Sequence, residues 1–164
     1  MKRISKRRRR EGKTDYKARL VLLKSELPRV VFRKTNKYVI GQYIKSKEAR
    51  DSVIIGVNSK DLLKLGWKYP GSLKSIPASY LTGFLLGKKI IDRDEKVKAI
   101  FDLGLLRNTK GSRIYAFLKG VIDAGVEIKV KEEMFPSEER IKGMHMKKDI
   151  SSIFEKIKEK IEND

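Results

Sequence analysis

The chain has 164 residues, 40 Lys/Arg against 21 Asp/Glu, and a net charge of +19. It has no cysteine and a single histidine, His145, which removes disulfides, thiol nucleophiles and zinc clusters built on Cys or His. A 40% hydrophobic content supports a core of one ordinary domain, and no apolar run approaches the roughly 18 residues of a membrane span.

Residues 1–24 carry a net +9, residues 25–130 a net +11 and residues 131–164 a net −1. A polyanion is therefore expected to meet the N-terminus and the middle. The last segment should do something else. Lys17, Arg19 and Lys24 interrupt any apolar core that a secretion signal would need. A soluble intracellular protein with no membrane partner and no cofactor is expected.

Residues 1–14 read as a solvated basic arm. Arg7, Arg8, Arg9 and Arg10 are consecutive. Adjacent guanidinium groups repel one another, and burying them unpaired is prohibitive. Their planar forks match phosphate oxygens. Asp15 can cap a short helix over 15–25, with Tyr16, Leu20 and Leu23 on one face, ended by Pro28. Residues 1–24 thus form the arm and its helix.

Residues 25–130 read as an α/β domain. Arg29–Arg33 is the first strand, with Arg29, Val31 and Arg33 on one face and Val30 and Phe32 on the other. Thr35-Asn36-Lys37 makes a tight turn in which Asn36 can take a left-handed conformation. The second strand is Tyr38–Ile44. The third is Val53–Val57, whose continuous apolar run predicts burial on both faces. Ser59 is placed to cap a short helix, Lys60–Leu65, closed by Gly66. A loop spans Trp67–Ser75.

Pro77 opens a helix running to about Asp92, in which Gly83 and Gly87 would let another backbone approach closely. Lys98–Leu103 is a fourth strand. Ile114, Phe117, Leu118, Val121 and Ile122 form the strongest helical pattern, stopped by Gly125. Val126–Val130 reads as a short edge strand. A right-handed crossover sets the fourth strand parallel to the first. The predicted fold is an antiparallel three-strand meander plus that parallel strand, in order 3-2-1-4, with helices on at least one face. Residues 131–164 read as a helical appendage. Its stripe of Ile150, Ile153, Phe154, Ile157 and Ile161 needs a surface, here or on a neighbour.

Gly12-Lys13-Thr14 resembles the end of a phosphate-binding loop, but the glycine required five positions earlier is Arg7. A flexible arm whose Gly12 lets backbone approach phosphate remains. Arg29, Arg33, Asn36, Lys37 and Tyr38 place cations beside an aromatic ring, a surface suited to RNA; an ordinary solvated strand face is the plain alternative. Lys110, Ser112 and Arg113 precede a helix N-terminus, which favours anions and which Ser112 can also cap.

Asp102, near the end of the fourth strand, finds no second strand carboxylate, so two-metal cleavage lacks its ligands. His145 lies between Met144 and Met146 and is expected to pack. Trp67, Tyr69 and Tyr80 are expected to be structural. A metal-dependent nuclease and a non-specific DNA-binding protein are the alternatives to RNA binding.

Several longer motifs are specific. They are Arg7 to Tyr16, Arg33-Lys34-Thr35-Asn36-Lys37-Tyr38, Pro77 to Gly83, Gly111-Ser112-Arg113, Leu118-Lys119-Gly120 with Asp123-Ala124-Gly125, and Phe135 to Gly143. In this order they resemble the archaeal form of the universal 5S-rRNA-binding protein family of the large ribosomal subunit, protein number eighteen. The resemblance covers about residues 7 to 145, with Lys129-Val130 departing from the proline and histidine of the family pattern.

The resemblance implies a ribonuclease-H-like layer and no enzymatic activity. It implies 5S rRNA, the large-subunit rRNA and neighbouring large-subunit proteins, including another 5S-rRNA-binding protein, as partners. By the same resemblance Arg7–Lys13 and Arg33–Tyr38 would touch RNA in the central protuberance, with Gly111–Arg113 a further candidate and Thr14 and Tyr16 completing the arm.

Overall fold

A computed structural model describes residues 4–48, 50–67, 72–94, 97–146 and 150–163. Tyr69 lies outside the described residues. Among them, four strands form one mixed sheet in the order β3-β2-β1-β4. They are β1 (Arg29–Lys34), β2 (Val39–Lys47), β3 (Arg50–Asn58) and β4 (Ile100–Asp102). β1 pairs antiparallel with β2 and parallel with β4, and β2 pairs antiparallel with β3, as the sequence predicts. The β2–β3 register slips between Tyr43 and Ile44, where a bulge interrupts the alternation. Val126–Val130 makes no strand. It contributes one parallel bridge, Lys98 to Glu127.

Two helices cover one sheet face: α4 (Ile76–Arg93) and α5 (Arg113–Asp123). Ser75 caps α4 by accepting from Ala78 N–H, and Gly125, at φ +113°, ends α5. Val30 and Phe32 meet this layer, with the Phe32 and Phe117 rings 5.2 Å apart. Glycines allow the helices to touch backbone to backbone. A Cβ on Gly83 would fall inside contact distance of the Phe117 carbonyl, and one on Gly87 would stand 2.5 Å from the Ala124 Cβ. Gly120 returns the favour against the Tyr80 carbonyl.

The C-terminal stripe finds its surface within the chain. After a 3-10 turn at Glu132–Met134, α6 (Glu138–Lys142) leads to α7 (Ser151–Asn163). Ile150, Phe154, Ile157 and Ile161 are buried in the common core. Phe154 packs 5.4 Å from the Tyr80 ring, and Lys160 Nζ donates to the Leu65 carbonyl at 3.1 Å. Trp67 and Tyr80 are buried, with Tyr80 Oη donating to Asp123 at 2.8 Å. His145 is exposed rather than packed: it follows Gly143, which ends α6 at φ +83°, and the core place beside that glycine is taken by Ile150.

Three local expectations change. β3 is an edge strand with Val53 52% exposed, so its apolar run is not buried on both faces. Sheet position, not strand composition, decides that. Ser59 does not cap α3 (Asp61–Lys64). It is buried and accepts from Val39 N–H, tying β2 to the turn after β3. Asn36 keeps a negative φ, since Thr35 Oγ1 closes the turn by accepting from Tyr38 N–H and donating to the Tyr38 carbonyl.

Candidate nucleic-acid interface

The second sheet face is where the charged residues gather. Antiparallel pairing sets Arg29, Val31 and Arg33 of β1 beside Ile44, Gln42 and Ile40 of β2, and parallel pairing sets Val31 beside Asp102. The N-terminal segment folds over one end of this face. It comprises a single turn, α1 (Arg7–Arg10), and α2 (Tyr16–Lys24). Asp15 caps α2 by accepting from Lys17 and Ala18 N–H at 2.9 and 3.2 Å. No residue of α2 is fully buried. Of the expected face, Tyr16 and Leu23 are half-buried and Leu20 is 55% exposed, while Ala18, Arg19 and the half-buried Leu22 line the cleft over the sheet.

The arm is organised by its own contacts. Arg8 Nε donates to Thr14 Oγ1 at 2.9 Å, Glu11 pairs with Lys13 at 2.9 Å and with Arg7 at 3.8 Å, and Gly12 turns the chain at φ +60°. Lys6 and Arg9 stand over the Tyr16 ring at 4.6 and 6.0 Å. Arg7 through Arg10 remain exposed.

Arg29 departs from its predicted place on an open surface. It is 3% exposed. Its Nη1 donates to Asp102 Oδ2 at 2.8 Å, and its Nη2 to Asp51 Oδ1 at 2.6 Å and Ser46 Oγ at 3.0 Å. Arg19 of α2 donates to the other Asp51 oxygen at 2.8 Å. A chain of alternating charge thus runs from α2 through β3 and β1 to β4.

Burial alone would push the Asp51 carboxyl up. Hydrogen bonds from Ser46 and Arg29, with the charges of Arg29 and Arg19, outweigh that and hold it below the usual carboxylate range. Asp51 is the second strand carboxylate that the sequence reading missed, because β3 begins three residues before its apolar run. The guanidinium of Arg29 sits between the two carboxylates. Among the described residues, no group of three or more His, Cys, Asp or Glu is placed to hold a metal ion.

Beyond Arg29, the face opens. Among the described residues the side chain of Arg33, on this face, and those of Lys34, Asn36 and Lys37 at and beyond the end of β1 are exposed and make no ion pair or hydrogen bond. Tyr38 is half-buried, with Lys60 Nζ 4.5 Å over its ring, so one face of that ring is already taken. A cleft between the arm and the sheet is lined by Arg8, Lys13, Thr14, Arg33 and Lys34 together with the loop Leu103–Leu106. Arm and β1 end therefore belong to one surface, an adjacency invisible in linear order.

The α5 start does not line this cleft. There Arg113 Nη1 donates to the Lys74 carbonyl at 3.2 Å, Lys110 is exposed, and Gly111 N–H donates to the Met134 carbonyl. Ser112 occupies the cap position, but its hydroxyl caps nothing. Its oxygen is buried and, among the described residues, has no hydrogen-bond partner; Tyr115 and Ala116 N–H donate to the Ser112 carbonyl instead.

Two kinds of comparison bear on identity. The family model described as "Ribosomal large subunit proteins 60S L5, and 50S L18" matches residues 2–96 and 88–131. The chain is similar to the large ribosomal subunit protein uL18 of Korarchaeum cryptofilum, 50% identical over 153 residues, which is 93% of this chain and 75% of that protein. It is likewise similar to the large ribosomal subunit protein uL18 of Methanococcus maripaludis, 45% identical over 153 residues, 93% of this chain and 78% of that protein. An extended cationic surface with its internal carboxylates already matched agrees with that kinship, and the chain belongs to the 60S L5 and 50S L18 family of large-subunit ribosomal proteins, in its archaeal uL18 form.

Proposed function

We propose that this protein is a non-enzymatic constituent of the large ribosomal subunit in the cytoplasm. It binds 5S rRNA and helps attach it to the large rRNA in the central protuberance, beside another 5S-rRNA-binding protein. The observation that carries this reading is the shared exposure of Arg7–Arg10, Arg33 and Lys37 on a chain whose relatives at 45–50% identity are large-subunit ribosomal proteins. Phosphates release counterions when these side chains engage them, which supplies affinity without sequence information. Gly12, Lys13, Thr14, Tyr16, Asn36 and Tyr38 complete the arm and turn surfaces. The exposed Lys110, with Arg113 beside it, offers a second contact at the start of α5, while the buried Ser112 hydroxyl is out of reach of a ligand. Arg29 acts from beneath, by positioning α2, β3 and β4.

The nuclease alternative is disfavoured by Arg29, whose charge neutralises the carboxylates that metals would need. Sedimentation of cell extract in high-magnesium buffer tests the main reading. The protein should travel with the large subunit, and finding it free would refute the assignment. Incubation of RNA with magnesium should give no cleavage, and duplex DNA should compete poorly against 5S rRNA.

A further inference from the structure

Met144, His145 and Met146 are consecutive, and they bring the chain's single histidine together with two of its four methionines. Packing does not account for this group. Met144 is 55% exposed, His145 is exposed, and only Met146 rests part of its surface on the core. Among the described residues, no hydrogen bond or ion pair engages the imidazole. The backbone beneath is fixed all the same. Gly143 and Met144 N–H both donate to the Glu139 carbonyl at 3.0 Å, and Met146 N–H donates to the Gly143 carbonyl at 3.1 Å. A turn closed in this way holds its ends within about 7 Å, so three soft donors leave one short reversal of the chain. Ile141 and Ile150, both buried, anchor it on either side.

We propose that this turn binds one soft monovalent cation of the Cu(I) class, held by the Met144 and Met146 sulfurs and an imidazole nitrogen of His145. Thioethers select Cu(I), whereas hard divalent ions want oxygen ligands. Among the described residues, no group of three or more His, Cys, Asp or Glu offers a competing donor set. The chain has no thiol to take the ion instead. Charge permits a cation here more readily than elsewhere. Residues 131–164 carry a net −1 against +9 and +11 in the two preceding stretches, and α6 presents Glu138 and Glu139 to solvent. Methionine has three rotatable bonds, so both thioethers can close on the ion from an exposed turn. This site is separate from the basic surface and does not rest on the RNA-binding reading.

The test titrates the full chain, with its methionine methyls carbon-13 labelled, against Ag(I), an air-stable ion of the same charge and softness. The Met144 and Met146 methyls and the His145 ring protons should shift together and saturate at one ion per chain. Met134, half-buried against the core, should stay in place. Zinc at the same concentration should leave all the methyls unmoved. Met144→Leu and His145→Gln should each weaken Ag(I) binding by at least about tenfold, since losing even an outer-shell partner of a metal costs about 10–100-fold. Both side chains are exposed, so the circular dichroism of the variants should match that of the wild type. Cu(I), supplied without oxygen in competition with the chelator bicinchoninate, should rank the three proteins in the same order. Methyl shifts that include Met134, a methyl response to zinc, or Ag(I) or Cu(I) affinities that neither substitution changes would overturn the site.

Discussion

Replacing Arg29 with methionine should destabilise the protein by about 3 kcal/mol while preserving its shape. Breaking a buried ion pair from one side costs about 3–5 kcal/mol, mostly because the remaining charge is left without its partner. Asp51 and Asp102 retain 27% and 17% side-chain exposure, so water recovers part of that loss and the low end applies. With a urea m-value of about 2 kcal/mol/M, the midpoint should fall by about 1.5 M at pH 7.

The pH dependence supplies a second check. Asp51 is held below its ordinary range, so its stabilising contribution is present above the unfolded value of about 3.9 and is lost as pH falls through its folded value. The variant has less of this contribution to lose, and the gap between the two proteins should narrow below about pH 4. Adding Asp51→Asn and Asp102→Asn to Arg29→Met removes the orphaned charges and should recover more than half of the lost stability. A loss under about 1 kcal/mol in the single variant, or a triple variant no more stable than the single, would refute the account of Arg29 as a charge bridge.

Gly83→Ala should destabilise by more than about 2 kcal/mol in chemical denaturation, because its Cβ meets the Phe117 carbonyl and separates α4 from α5. Gly56→Ala, with open space at its Cβ, should be within about 1 kcal/mol of wild type. Joint replacement of Arg33 and Lys34 by alanine should lower the salt slope of 5S rRNA binding by about two, one for each lost phosphate contact, without shifting the thermal midpoint measurably. The same measurement on Arg7–Arg10→Ala reports whether the arm touches that RNA. Burial and the neighbouring Asp94 push the Tyr43 phenol up to about 12. Its contribution to stability persists below the unfolded value near 10 and disappears as pH rises through 12, so ultraviolet titration of Tyr43→Phe should lack an ionisation step there.

Much of the fold was legible because its signals are local. Asp15 sits one residue before α2 and carries the oxygen that caps it, and Pro77 marks the first turn of α4, whose cap, Ser75, only the structure identified. The 3.6-residue pattern from Ile114 to Val121 maps onto the buried face of α5. Gly83 and Gly87, four apart, announced a close backbone approach that α5 supplies. The hairpin turn at Thr35–Lys37 and the crossover to the fourth strand constrain the order 3-2-1-4. The C-terminal stripe declared that it needed a surface, but naming that surface required knowing that α4 presents Tyr80 and Phe84 beside it.

The basic surface divides the two levels of information most clearly. Strand alternation places Arg29 and Arg33 on the same face of β1, and this follows from the sequence by itself. What lies over that face does not, because it depends on residues far away in the chain. Asp51 from β3, Asp102 from β4 and Arg19 from α2 converge on the Arg29 end and turn that arginine into a buried bridge. Among the described residues nothing comparable reaches Arg33, which stays in solvent. The two arginines share a residue type, a strand and a side. Only tertiary structure separates their roles, because the energy of a charge is set by its non-local neighbours and its access to water, and no periodicity encodes either.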